Sequence, residues 1–369
     1  MKKTRVAILF GGRSAEHEVS LQSAKNVIGA IDKEKYEPVL VGIDKQGGWH
    51  LCDSTHFLCH GDDPKAIALD PGRQAVVLPP GSGDRGLVTL SDQGGKSVSH
   101  RVDVVFPVLH GPFGEDGTVQ GLLKLADVPF VGAGVLGSAV GMDKDVMKRL
   151  LRDAGIPTPG FLVFHRSRRE PADLERVRAE LGLPCFVKPA NLGSSVGISK
   201  VHNDGEFERA MNAAFDYDHK VLVEESIEGR EIECSVLGNE EPLASLPGEI
   251  LPRHEFYSYE AKYLDEDGAA LEVPAQLPEG VVAEIQRLAV ATFRTLCCEG
   301  MARVDFFLRS GTEVLVNEIN TIPGFTRISM YPKLWEASGI SYTELIDRLI
   351  QLAIQRHERD RKLRASYIE

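Results

Sequence analysis

The apolar positions change period along the chain, and each change marks an element. Val6-Ala-Ile-Leu-Phe10 is an unbroken apolar run closed by Gly11-Gly12, as a short buried strand would be. Ala24, Val27, Ile28 and Ile31 then recur at i, i+3, i+4 and i+7, one face of a helix. Tyr36 to Ile43 returns to strand character, so the chain opens βαβ and predicts a parallel sheet. Residues 55 to 100, with Pro79-Pro80-Gly81 and Gly94-Gly95, read as loop. Val102 to Leu109 is the next strand and ends in the turn His110-Gly-Pro-Phe-Gly-Glu-Asp-Gly117.

The pattern shifts around Gly132 to Gly141, and a boundary is expected there. Asp143 is placed to cap a helix with Val146, Met147, Leu150 and Leu151 inward, stopping at Gly155. Phe161 to Phe164, Cys185 to Lys188, Ile198 to Val201 and Lys220 to Glu225 read as strands. Val282, Ile285, Ala289, Thr292, Phe293 and Leu296 mark a helix. Ser341-x-x-Glu344 is a capping box for a last helix with Leu345, Ile346, Leu349 and Leu352 inward. These breaks divide the chain into 1–140, 141–228 and 229–369.

Between those helices lies a hairpin, Arg303 to Leu308 and Val314 to Asn320, joined by Ser310-Gly311-Thr312. Folded about Gly311 and Thr312, facing positions have numbers summing to 623, so Asp305 meets Glu318 and Arg303 meets Asn320. Side chains alternate along a strand, which puts all four on one face. Two carboxylates held so close repel unless a cation sits between them. An Asp, Glu and Asn oxygen set suits a hard ion such as Mg²⁺. Arg303 would lie beside it, facing a phosphate or a developing oxyanion. A solvated polar face on an edge hairpin is the plainer reading. Asn320-Thr-Ile-Pro-Gly324 then ends a strand in a turn whose bare backbone N–H groups can approach a ligand.

Charge and composition narrow the field. Lysine and arginine number 42 against 54 aspartates and glutamates, a net charge of −12, which argues against nucleic acid or an anionic membrane as partner. No apolar stretch is long enough for a membrane span. Six cysteines are scattered with no Cys-x-x-Cys pair, which argues against a zinc site and fits a reducing cytoplasm. Gly95-Lys96-Ser97 is no P-loop, because Leu90 stands where the first glycine belongs. Gly11 to Glu18 also lacks dinucleotide spacing, though its glycines end a strand, with Glu16 and Ser20 at the start of the helix. Glu16 there could equally just complement the helix dipole.

Lys188-Pro-Ala-Asn-Leu-Gly-Ser-Ser-Val-Gly197 joins strand to strand, either as a flap over phosphates or as an ordinary hairpin. The acidic run from Glu224 to Glu231 could meet adenine and ribose, or be a solvated turn. Residues 255 to 264, with Lys262 and three tyrosines, read as a lid or as a strand and turn.

Eight motifs in order over nearly the whole chain closely resemble those of the D-alanine–D-alanine ligase family. They are Gly11 to Ser20, His110-Gly111 through Glu115-Asp-Gly117, Met142-Asp-Lys144, Lys188-Pro189, Gly193 to Gly197, Tyr259 to Tyr263, Arg303-Val-Asp305 and Asn317 to Gly324. The 55–100 segment is similar to the insertion of longer members. The resemblance implies an α/β ATP-grasp fold: an N-terminal parallel-sheet, Rossmann-like domain, then small central and C-terminal α+β domains gripping ATP. It implies that ATP and two D-alanines give D-alanyl-D-alanine, ADP and phosphate through an acyl phosphate, for peptidoglycan precursors. It further implies a cytoplasmic homodimer whose partners are these small molecules.

Carried over by position, Asp305, Glu318 and Asn320 would hold two Mg²⁺, with Mn²⁺ as substitute, and Asn317 would lie at the ATP beside them. Lys144, Lys188 and Lys262 would face the phosphates under Ser194 and Ser195. Glu224, Glu225 and the backbone near Ile227 would read adenine, Glu231 the ribose, and Phe307 would pack on the base. Glu16 would pair with the first ammonium and His110 lie near that carboxylate. Arg303 and the Gly324 N–H would form the oxyanion site, and Ser329 with the Met330 N–H would bind the second carboxylate. Tyr263, linked to Ser194 and Glu16, would order the lid and help deprotonate the second amine. Met330 stands where Leu is more usual, and the Lys262-Tyr263 pair favours peptide over D-lactate ester formation. The nearest rival is another ATP-grasp carboxylate–amine ligase with a different amino acid or D-lactate; a nucleotide-binding regulator would lack a metal ligand or phosphate lysine, and none is lost.

Overall fold

The computed structural model describes residues 2–53, 57–61, 63, 66–70, 74–81, 86–90, 98–168, 173–252 and 269–364. The expected lid at 255–264, with Lys262 and Tyr263, lies outside the described residues.

The first sheet is built round Thr4–Gly11, which pairs in parallel with Tyr36–Ile43 on one side and Val104–Val108 on the other. Its apolar run is continuous because both faces are covered. Val6, Ile8 and Phe10 enter one core, while Ala7 and Leu9 enter another. The remaining strands of this seven-stranded sheet are antiparallel, so the sheet is mixed rather than purely parallel. Three of them, Gln74–Val77, Gly86–Thr89 and Ser99–Arg101, come from the stretch read as loop. Runs of three or four residues are too short to show a period, and pairing with the edge at Trp49–Cys52 decides their conformation.

A four-stranded antiparallel sheet follows, in the order Phe161–His165, Lys220–Glu225, Cys185–Pro189, Ser199–Val201. Val177, Phe207, Met211 and Phe215 from helices Asp173–Glu180 and Asp204–Phe215 cover one face. The opposite face, with Lys188 and Glu224, is left toward the cleft. Gly229–Gly238 and Gly300–Arg309 are the middle of a third, antiparallel sheet, whose far edge is Glu313–Asn320. Helix Glu279–Thr295 buries Ile285, Leu288, Ala289 and Phe293 against it.

Helix Lys144–Asp153 also packs there, through Met147 and Leu151. Asp143 caps it as expected, accepting from the Val146 N–H at 3.0 Å. Its inward face differs from the expected one: Lys144, Met147, Lys148 and Leu151 are buried, while Leu150 is 37% exposed. The face turned by one position because two lysines with partners across the cleft displaced two apolar residues from it. The last helix, Tyr342–Asp360, crosses back to the first sheet, its Leu345, Ile346 and Leu349 sharing a core with Val6, Ile8 and Phe106. Chain end and chain start are thereby locked about the turn after Asn320.

Candidate active site

The hairpin puts Arg303 opposite Asn320 and Asp305 opposite Glu318, as its alternation predicts. The route differs from the simple fold. From Phe306–Val316 to Arg309–Glu313 the pairing is one residue out of step, and a β-bulge between Asp305 and Phe306 restores it by leaving Asn317 unpaired. Without the bulge, the register set at the turn would bring Asn317 and not Glu318 opposite Asp305. With it, Asn317 and Glu318 both turn toward the cleft, while Val316 and Ile319 stay in the core.

Charge on this floor is shared tightly. Arg303 forks Asp305 with two bonds of 2.7 Å and reaches Glu233 at 2.9 Å. Asn320 Nδ2 donates to Asp305 Oδ2 at 3.0 Å, and Lys144 Nζ stands 3.5 Å from Glu318. In these close contacts among the described residues, the carboxylates of Asp305, Glu233 and Glu318 meet Arg303 and Lys144, a setting that suits a further cation. The donors are hard oxygens, as Mg²⁺ needs, and they fit it. Among the described residues no three His, Cys, Asp or Glu side chains gather into a closed cage, so a metal here would need oxygens from a ligand as well.

The facing wall is cationic and largely sealed. Lys188 Nζ lies 2.5 Å from Glu224 and 3.5 Å from Asn317 Oδ1, tying the second sheet to the bulge. Lys148, unremarked in the sequence, meets the other Glu224 oxygen at 3.2 Å. Burial alone would raise the Glu224 carboxyl, but Lys148 and Lys188 overrule it and hold it below the ordinary range. Burial would lower Lys188, and Glu224 more than offsets it. For Lys148 burial wins, and its ammonium is pulled down. Glu224, expected at an adenine, therefore spends both carboxylate oxygens on lysines, which leaves its backbone for a base. Glu225 likewise turns its side chain away, accepting from the Gly160 N–H at 2.7 Å. Ile227 sits half-buried in the link between the two sheets. Glu231 and Phe307 are direct cross-strand neighbours on the same floor as Asp305.

The loop of Gly193 to Gly197 closes the top. Ser194 and Ser195 hold left-handed backbone (φ +51° and +60°), and the Ser194 hydroxyl donates to Glu16. Glu16 stands at the N-cap of helix His17–Ala30, so close to Gly111 that a Cβ there would lie 2.7 Å from its carboxylate. His110 Nδ1 donates to the Ile322 carbonyl at 2.9 Å, and Nε2 meets Ser23 Oγ at 3.3 Å. Burial depresses its pKa despite Glu16 nearby, so a neutral ring positions the turn before Gly324. Glu115, given no role from sequence, accepts from the Gly111 N–H at 2.7 Å and the Ile322 N–H at 3.1 Å. Its carboxyl is pushed up to about 8, chiefly by burial and then by Glu16. Ser329 stands at the N-cap position of helix Met330–Ala337 with its hydroxyl turned back to accept from the Thr326 N–H, and it lies against Gly324, where a Cβ would come 3.0 Å from that hydroxyl. The Met330 side chain is buried beside Leu334, so only its N–H can serve a ligand.

Two sheets facing each other across a cleft, with lysines and a Ser/Gly flap on one and a carboxylate hairpin on the other, define an ATP-grasp protein. Profiles described as D-ala D-ala ligase N-terminus and D-ala D-ala ligase C-terminus match residues 5–133 and 150–351. The D-alanine--D-alanine ligase of Shouchella clausii is 57% identical over 369 residues, all of both chains. The solved D-alanine-D-alanine ligase from Coxiella burnetii superposes with TM-score 0.84 at 40% identity, covering 98% of this chain and 97% of that one. The VanG D-Ala:D-Ser ligase from Enterococcus faecalis gives 0.83 at 37%, covering 95% and 100%. This chain belongs to the D-alanine–D-alanine ligase family.

Proposed function

We propose that the protein joins two D-alanines into D-alanyl-D-alanine at the expense of ATP, for peptidoglycan precursors. The observation that carries the reading is the bulged hairpin, which sets Asp305 against Glu318 with Arg303 and Lys144 alongside. In it, the first D-alanine lies under the flap with its ammonium on Glu16. Its carboxylate oxygen attacks the γ-phosphorus of ATP, ADP leaves, and an acyl phosphate forms. Lys144 and Lys188 line the phosphate path, and Ser194 and Ser195 keep water from it. The second D-alanine has its carboxylate at Ser329 and the Met330 N–H. Its amine attacks the acyl carbon, losing a proton, and phosphate departs.

Arg303 and the Gly324 N–H meet the oxyanion formed on the way, each donor contributing about 3 kcal/mol. Asp305, Glu318 and Asn320 would hold Mg²⁺, which when bound neutralises phosphate charge. Adenine lies by the backbone of Glu224 to Ile227, against Phe307, with the ribose at Glu231. Lys262 and Tyr263 enter only as the resemblance implies, at the phosphates and at the second amine. The working units are 1–140, 141–228 and 229–369, and we read the protein as a cytoplasmic homodimer.

The similarity to a D-Ala:D-Ser ligase favours one other acceptor to test beside D-lactate. Product analysis with ATP and D-alanine, alone and with excess D-serine or D-lactate across pH, decides it. D-alanyl-D-alanine with matching ADP and phosphate is expected to dominate; a mixed product prevailing at neutral pH overturns the acceptor assignment.

A further inference from the structure

Two lysines share a single glutamate in the wall of the cleft, and one of them cannot reach any ligand. Lys148 keeps 1% of its side chain exposed and Glu224 2%, whereas Lys188 edges into the cleft toward Asn317. Lys148 takes one Glu224 oxygen at 3.2 Å and Lys188 takes the other at 2.5 Å. A lone lysine–glutamate pair is neutral and holds little attraction for an anion. Two ammonium groups about that one carboxylate leave an excess positive charge, which Glu318 and Glu231 offset less strongly than Glu224 does, and only Lys188 is placed to express it. Such a charge acts strongly because the surrounding medium screens it poorly.

We propose that Lys148 is a positioning residue for nucleotide binding: by occupying half of Glu224, it leaves Lys188 with net charge to offer a triphosphate. The inference rests on the ATP reading given above. It concerns phosphates only, so the nucleoside part of the ligand should not sense it. Lys148 recurs with Lys144, Met147 and Leu151 on one helix face, which fixes where its ammonium emerges.

Calorimetric binding of ATP with Mg²⁺, and of adenosine, to the full chain tests it. Lys148→Met should weaken ATP roughly ten- to a hundredfold and leave adenosine within about twofold, while Lys148→Arg should keep ATP within about threefold. Equal losses for both ligands would mark a purely structural residue and overturn the proposal. Unchanged ATP binding by Lys148→Met, or a Lys148→Arg variant as impaired as Lys148→Met, would do so too. Should Lys148→Met fail to fold, the double variant Lys148→Met with Glu224→Gln removes both charges of that pair and leaves Lys188 its own. It should prefer ATP over adenosine as the wild type does, and loss of that preference counts against the idea. A wild type that binds no ATP would instead sink the functional reading itself.

Discussion

On the hairpin, Asp305 and Glu318 keep 14% and 27% of their side chains in solvent and share Arg303 and Lys144. On the facing wall Lys148, Glu224 and Lys188 are almost dry and already paired with one another. Both regions carry charge to one cleft, yet they do so in opposite ways. A part-wet carboxylate can stay under-compensated at small cost, because water screens it. A dry one must find its counter-charge within the protein. The floor is therefore able to exchange partners when ligands arrive, and the wall is a fixed electrostatic surface that ligands meet ready-made.

Paired substitutions would break that contrast if it is wrong. Glu318→Gln keeps shape and removes one floor charge; phosphate release should fall about a thousandfold or more, some 4 kcal/mol in the barrier. Its thermal midpoint should stay close to wild type. Glu224→Gln should do the reverse in stability, costing about 3–5 kcal/mol because two buried lysines lose their anion. Normal turnover by Glu318→Gln removes that residue from the metal site. Equal stability losses in the two variants would erase the distinction between floor and wall.

The flap is a smaller effect of the floor type, an exchangeable contact rather than a fixed one. The Ser194 hydroxyl bonds a carboxylate across two sheets, and its left-handed backbone lies in a loop where the Val196 N–H donates to the Gly193 carbonyl and the Ile198 N–H to the Ser195 carbonyl. Ser194→Ala loses one hydrogen bond to a charged group, about 1.5–3 kcal/mol. We expect kcat/KM for D-alanine to drop about tenfold or somewhat more, with thermal stability unmoved. A change under about twofold would show that closure does not depend on Glu16.

The floor was legible in the sequence and the wall only in part, for a physical reason. Lys188 and Glu224 were expected at the cleft, but not their pairing with each other and with Lys148. Alternation on Arg303 to Phe307 is a local property of one strand, and it survives folding. The pairing across the hairpin came out as expected only because a bulge at Asn317 offset a turn centred one half-step away, and nothing in the local pattern announces a bulge. Lys148 was hidden differently. A lysine between Met147 and Leu151 looks like a solvated neighbour, and its partner Glu224 lies on another sheet. The i, i+3, i+4, i+7 set of Lys144, Met147, Lys148 and Leu151 was present in the sequence, but an apolar-only count passes over it. Glu233 escaped likewise: it faces Asp305 across a strand pair whose two members are about seventy residues apart. The edge strands at 74–77, 86–89 and 99–101 depend on a neighbour to exist at all.

Glu115 tests the wall logic at its weakest point, since it is dry but has no lysine. Its oxygens hold the Gly111 and Ile322 N–H groups, joining the turn around Glu16 to the turn before Gly324. Burial first, and Glu16 second, push its carboxyl up to about 8, against those two bonds and Arg303. A folded-state value above the ordinary 4.5 of a glutamate means that folding favours the protonated form. That stability is complete below 4.5 and is lost as pH rises through about 8. Glu115→Gln cannot titrate, and its amide nitrogen must face one of the two N–H donors, so near pH 6 it should be less stable by about 1–3 kcal/mol. Between pH 6 and 9 the gap to wild type should narrow, because only the wild type meets the penalty of ionising there, while activity changes by a few-fold at most. Denaturation midpoints across that range measure it. A gap that stays level from pH 6 to 9 would mean that Glu115 is already an anion at pH 6, compensated by its backbone donors as the wall glutamate is by its lysines.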